Sequence, residues 1–211
     1  MYVPAHFAFP DTAAIHAFMR LHVFAVIAGE INGRLEFAYA PVVSDPEPAP
    51  LGRLRLHLAR ANPLAEIAEG AGIKFSILGP HAYVSPDWYA TPGLVPTWNY
   101  IAIEGTGRVR RLAESGLRRL LSDLAAQEEN ALAPKLPWRI ARVRPEQLDA
   151  MLDAIIGFEL PLESLEGKAK LSQNRARQDA EGAISGLEQR GDAASNAVAA
   201  EMRKLYPREG T

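Results

Sequence analysis

The stretch Gly52–Arg60, GRLRLHLAR, alternates without a break: Leu54, Leu56 and Leu58 fall on one side, and Arg53, Arg55 and His57 on the other. A period of two belongs to an extended chain with one face in a core and the other turned outward. Around it lie further runs of the same kind. RLEFAYAPVV, from Arg34, puts Leu35, Phe37 and Tyr39 on one face. LHVFAVIAG, from Leu21, is apolar on both faces and reads as a buried strand. Asn32-Gly33 between them is a strong two-residue hairpin signal. IKFSILG from Ile73, TWNYIAIEG from Thr97 and GRVRRL from Gly107 complete six strand candidates. With one short helix among them, after Asn62-Pro63, they indicate an antiparallel barrel rather than a parallel α/β sheet.

Helices flank this block. Asp11 caps a helix carrying Ile15, Phe18 and Met19. After Glu114 the period becomes helical, with Leu117, Leu120, Leu121 and Leu124 in one stripe. A proline-bounded joint, APKLPW, leads to a helix over about 145–156 and an extended segment, FELPLESLEGKAKLSQ. Two alanine-rich helices, broken near Gly191, follow. The expected division is a β core over residues 1–112 and a helical and extended part over 113–211 that packs on it as one domain. The fold class is α+β, mainly β with C-terminal helices.

Composition bounds the function. The net charge is −2, and the sequence has neither a charged tail nor a strongly basic half, so nothing in it demands nucleic acid or an anionic membrane. The chain has no cysteine, which removes disulfides, thiolate metal sites and cysteine nucleophiles. His16 and His22 have the wrong spacing for two ligands on one helical face, and no metal site is expected. With no signal-peptide pattern and no apolar run of spanning length, the chain reads as cytoplasmic and without a membrane partner. Phosphate-loop, dinucleotide and nucleophile-elbow motifs are absent.

Three segments carry chemistry. In HLARANP, His57 to Pro63, Arg60 stands beside a helix start where the amides of Leu64 and Ala65 would lie unpaired, a ready anion site; the alternative is an ordinary turn capped by Asn62. GPHAYVSPDWYATPGLVPTWNY, Gly79 to Tyr100, holds five of the nine Tyr and Trp residues. Its polar-tipped rings suit a flat ligand or, equally, packing on the core or a second subunit. In GKAKLSQNR, Gly167 to Arg175, an extended chain would place Lys168, Lys170 and Ser172 on one face, able to hold phosphate or a carbonyl; the alternative is a lysine-protected strand edge.

Together with MYVPAHF at the start, these segments, in this order and spacing, resemble the PaiB-like family, described as FMN-binding negative transcriptional regulators. The resemblance covers Met1 to about Leu187. It implies a six-stranded antiparallel Greek-key split barrel of the FMN-binding type, usually a homodimer with flavin between the subunits. It implies cofactor-binding roles for His57, Arg60 and Asn62 near the phosphate. Thr97, Trp98 and Asn99 would line the flavin ring, and Ser85 and Trp88, in the part of the aromatic stretch that turns over the pocket mouth or the partner subunit, are further cofactor-binding candidates. Lys170, Ser172, Gln173 and Asn174 match a late motif of the family. Members often carry histidine where this chain has Glu104, so any role of that histidine does not carry over.

The expected function is therefore an FMN-binding regulator, with flavin-dependent redox chemistry as an added expectation and no catalytic residue identified. Two alternatives stand beside it. One is a haem-binding split barrel using His57 or His81. The other is a direct DNA-binding repressor without flavin, whose helix-turn-helix would be Gln178–Lys204, offering Ser195, Asn196, Arg203 and Lys204 to bases. Support for DNA is weak, because the second helix is otherwise apolar.

Overall fold

The structure is a computed structural model and describes residues 1–207. Seven strands form one sheet: β1 (Phe24–Ile31), β2 (Arg34–Asp45), β3 (Arg53–Ala59), β4 (Gly72–Val84), β5 (Thr97–Arg108), β6 (Arg110–Arg111) and β7 (Ile155–Lys170). Their order is β3-β2-β1-β4-β5-β7-β6, and β3 also pairs with β7. Six long strands thus close into a ring, and every pair whose register is described is antiparallel. This is the split-barrel class the resemblance implies.

The sixth strand differs from the one read in the sequence. As a separate strand GRVRRL gives only the two residues of β6, because β5 runs straight through Gly105 and Gly107 to Arg108 and takes its first two residues. Those glycines admit neighbours rather than turn the chain. A Cβ at Gly105 would lie 2.5 Å from the Phe75 ring, and one at Gly107 2.5 Å from the Pro161 carbonyl oxygen. The ring is closed instead by β7, from the segment expected to be merely extended. The helix before it, α3 (Pro145–Asp153), stops short of Ile155 and Ile156, which open β7.

The chain divides into two compact units. The larger holds Asp11–Ile77 and Glu104–Leu165. Its β1–β2 hairpin turns at Asn32 and Gly33, both with positive φ (52° and 75°), as a type I′ turn requires. Leu54, Leu56 and Leu58 are buried, Leu56 between Val42 of β2 and Phe158 of β7, each contributing about 1.5–3 kcal/mol of burial. The opposite face of β3 is covered by helix α2 (Glu114–Asn130), whose Leu117, Leu120 and Leu124 pack with Val43 and Leu152. Arg55, read as outward, is therefore buried, and pairs with Asp45 (2.6 Å) and Asp123 (2.8 Å). Helix α1 (Thr12–Leu21) is capped by Asp11, as expected. On the outside of the hairpin, Leu35, Phe37, Tyr39 and Phe24 are all exposed.

The other unit holds Met1–Pro10, Leu78–Ile103 and the chain from Glu166 onward. Helices α4 (Arg177–Arg190) and α5 (Ala193–Leu205) meet at Gly191, whose φ of 71° ends α4 before Asp192 caps α5. Trp88 lies on α4 over two glycines: a Cβ at Gly186 would fall 2.2 Å from its ring, and one at Gly182 2.1 Å from its carbonyl oxygen. Among the described residues, no helix is long and apolar enough to cross a membrane.

Candidate functional site

Alternation along β5 separates residues that are adjacent in sequence. Asn99 points inward and is fully buried, while Trp98 points outward and is 54% exposed. The Asn99 amide donates to Ser172 Oγ at 3.0 Å and lies 3.3 Å from Met202 Sδ. Ser172 follows the end of β7 with φ 70°, and its carbonyl accepts from the Arg175 amide (2.9 Å) and the Tyr206 hydroxyl (3.2 Å). It has left the face of Lys168 and Lys170, because the strand stops at Lys170. Gln173 folds back: its Oε1 accepts from Leu171 N (2.7 Å) and its Nε2 donates to Ala169 O (2.6 Å). Asn174 stands exposed beyond this turn.

The lysines are placed differently. Lys170 Nζ donates to Thr97 Oγ1 and, at 3.0 Å, to the Trp98 carbonyl oxygen. Lys168 Nζ donates to Tyr2 O at 3.2 Å and lies over the rings of Tyr2 and Tyr100. Among the described residues neither has a carboxylate partner. Burial, then the charges of Lys168 and Arg175, hold the Lys170 ammonium below the usual lysine range. The structure thus brings Thr97, Asn99, Lys170, Ser172 and Gln173 together, with Lys168, expected on one face with Lys170, and Arg175 as further cations near Lys170.

On the outer side of β5, Trp98 meets Tyr83 edge-on at 6.2 Å and His81 at 6.4 Å. These rings face the α4–α5 corner across a cleft of about 340 Å³. Arg190 and Asp192, which line that cleft, were missed in the sequence; their places on either side of the helix-breaking Gly191 are the signal that could have found them. Ser85 accepts from the Asp87 amide at 3.3 Å and caps the turn that delivers Trp88 to α4. Asp179, in the first turn of α4, accepts from Thr91 N (2.8 Å) and Thr91 Oγ1 (2.9 Å), which tethers the proline-rich loop.

His57, Arg60 and Asn62 lie in the larger unit. The helix start expected there is a four-residue 3-10 turn, Pro63–Glu66. Leu64 N donates to Asn62 Oδ1 and Ala65 N to Asn62 O, both at 2.9 Å, so both amides are already satisfied. Arg60 donates through Nε to Asp153 O (2.8 Å) and through its backbone amide to Ala154 O (2.8 Å), where it caps the C-terminus of α3. The half-buried His57 keeps a buried Nδ1 without a hydrogen-bond partner, and burial pushes its pKa down. Glu104 pairs with Lys74 at 2.7 Å, and that bond holds its carboxyl below the usual range.

The side chains expected to read DNA are otherwise engaged. Ser195 is fully buried, and Asn196 Nδ2 donates to Gly191 O at 3.0 Å. Arg203 pairs with Glu188 (3.1 Å), and Lys204 with Glu201 (2.8 Å).

Residues 1–164 match a family model described as "Putative FMN-binding domain". The chain is 28% identical over 182 residues to the protease synthase and sporulation protein PAI 2 of Bacillus subtilis, covering 85% of each chain. It is 30% identical over 185 residues to the uncharacterized protein AN0679 of Emericella nidulans, covering 72% of this chain and 73% of the relative. Among solved structures it resembles the FAD and heme binding protein from Mycobacterium smegmatis, with a TM-score of 0.58 at 15% identity, over 77% of this chain and 73% of that one. The flavocytochrome Anf3 from Azotobacter vinelandii gives a TM-score of 0.57 at 15% identity, over 80% and 72%. At such identities the structural likeness is one of fold.

Proposed function

The chain belongs to the FMN-binding domain family that its residues 1–164 match, and on that premise we propose that it is a flavin-binding homodimer with a regulatory role in the cytoplasm. The observation that carries the flavin reading is Lys170. A half-buried ammonium held only by neutral oxygens, with Lys168 and Arg175 adding positive charge, suits an anionic ligand such as the phosphate of FMN. Thr97 and Lys170 would hold that end. Asn99, Ser172 and Gln173 would fix the turn that presents the lysine. His57, Arg60 and Asn62 remain candidates in the larger unit, His57 through the unpartnered Nδ1 and Arg60 through an exposed guanidinium.

When bound, flavin supplies electron transfer, and the protein's part is to bind and orient it. The exposed Leu35, Phe37, Tyr39 and Phe24 on the outer face of β1–β2 fit a second copy of the chain, since a contiguous apolar patch of this kind marks an interface. The regulatory role rests on the PaiB-like resemblance, and the Bacillus subtilis relative is named a protease synthase and sporulation protein. Ser195 is buried and Asn196 is held by the Gly191 carbonyl, which leaves only Arg203 and Lys204, in surface ion pairs, to meet bases and favours an indirect role.

Haem is the second reading. It is favoured by the exposed His81, whose Nδ1 is held by the Gly79 carbonyl at 3.1 Å, an arrangement that leaves Nε2 for a metal. Titration of the purified chain with FMN and, separately, with haem tests both. Saturable FMN binding weakened in K170A supports the flavin reading. A Soret band lost in H81A, without FMN binding, replaces it.

A further inference from the structure

The outer face of β5 has features the Lys170 cluster does not use. We propose that the cleft between Trp98, Tyr83 and His81 and the α4–α5 corner is a binding site for a planar aromatic molecule carrying a carboxylate or carbonyl acceptor, separate from the Lys170 cluster.

The aromatic wall comes first. Trp98 is 54% and Tyr83 36% exposed, so large ring surfaces face solvent at the end of the barrel strands. Their edge-on contact at 6.2 Å, with His81 tilted by 30° at 6.4 Å, holds the Trp98 ring in place. A fixed indole face attracts another flat π system by burial and by quadrupole complementarity. The cleft, about 340 Å³, lies at the small end of the range for ligand pockets, the size of a small aromatic molecule.

The polar wall sets the chemistry. Asp192 accepts from the Ser195 amide at Oδ1 and from the Ser195 hydroxyl at Oδ2, both at 2.9 Å, as the N-cap of α5. Its second task is to hold Arg190, Nε to Oδ2 at 2.6 Å. The carboxylate is thus occupied by the helix and by the guanidinium. Arg190 lines the cleft with a half-exposed guanidinium, and a guanidinium fork matches a carboxylate or a carbonyl. A cationic ligand would meet Arg190 itself.

This inference does not rest on the flavin reading, because Thr97 and Asn99 belong to the opposite face of the strand. Isothermal titration of the full chain with 2-naphthoate, with and without saturating FMN, is the test. We expect saturable binding at one site per chain, weakened about tenfold or more in W98A and in R190Q. Binding should persist in W98F, which keeps a ring, and in K170A. Both substituted side chains are at least half exposed, and melting curves of the variants check that the fold is retained. No saturable heat up to about 1 mM, equal affinity in W98A and R190Q, or competitive displacement by FMN would overturn the proposal. Displacement would assign the cleft to the flavin ring.

Discussion

Asn99 and Ser172 meet at 3.0 Å in the interior, where the end of β7 turns toward α4. The amide of Asn99 is fully buried, and its partners are the Ser172 hydroxyl and the Met202 sulfur. Asn99→Ala removes the donor and leaves Ser172 Oγ buried without it, a loss of about 1–3 kcal/mol. Thermal melting should show a clear drop in Tm, with weaker FMN binding following from the displaced Lys170 turn. An unchanged Tm would mean that the bond does not hold the turn.

Trp88 and α4 form a second lock. Gly186→Ala places a methyl 2.2 Å from the Trp88 ring, an overpacking that costs about 1–3 kcal/mol. A smaller ring-free side chain should relieve it, so G186A/W88L should be more stable than the sum of the single variants implies. Strict additivity in chemical denaturation would show that the two residues do not press on each other.

Acid should weaken the fold through His57. Burial holds its pKa below the ordinary imidazole value, so the folded chain binds fewer protons than the unfolded chain as pH falls through that range. The stability is present above the ordinary value and is lost on acidification. Tm should fall between about pH 7 and pH 5, and the slope should be shallower in His57→Leu. Some slope should remain, because burial also lowers the pKa of His16. An identical slope in the variant would contradict the assignment.

Most of the barrel was legible in the sequence, and the reason is local. The strict alternation of Leu54, Leu56 and Leu58 and the Asn32-Gly33 turn are short-range signals, and the structure has both. The closing strand was not legible as such. Its alternation is interrupted by Pro161 and Gly157, and its pairing with β3 joins residues about a hundred positions apart. Nor could the sequence show that α2 would cover Arg55, since the strand pattern is the same for a charge in water and for one buried with Asp45 and Asp123. At the candidate site, TWNY looked like one group of ligands. Strand periodicity already implies two, and the structure separates Asn99 from Trp98 accordingly.

Dimerisation can be tested on the β1–β2 face. Phe37→Glu with Tyr39→Glu puts two charges into the exposed apolar patch, while both side chains are already largely in water in the single chain. Light scattering should report a dimer for the parent and a monomer for the double variant, with far-ultraviolet circular dichroism unchanged. A parent that is monomeric at all concentrations would remove the homodimer.

The most direct test of the central claim is a titration of the purified chain with FMN, followed by the quenching of flavin fluorescence. The account predicts saturable binding to the parent, and a loss of about tenfold or more in Lys170→Ala, because the charge that faces the anionic end is gone. No saturable quenching by the parent, with a fold shown intact by its melting curve, would contradict it.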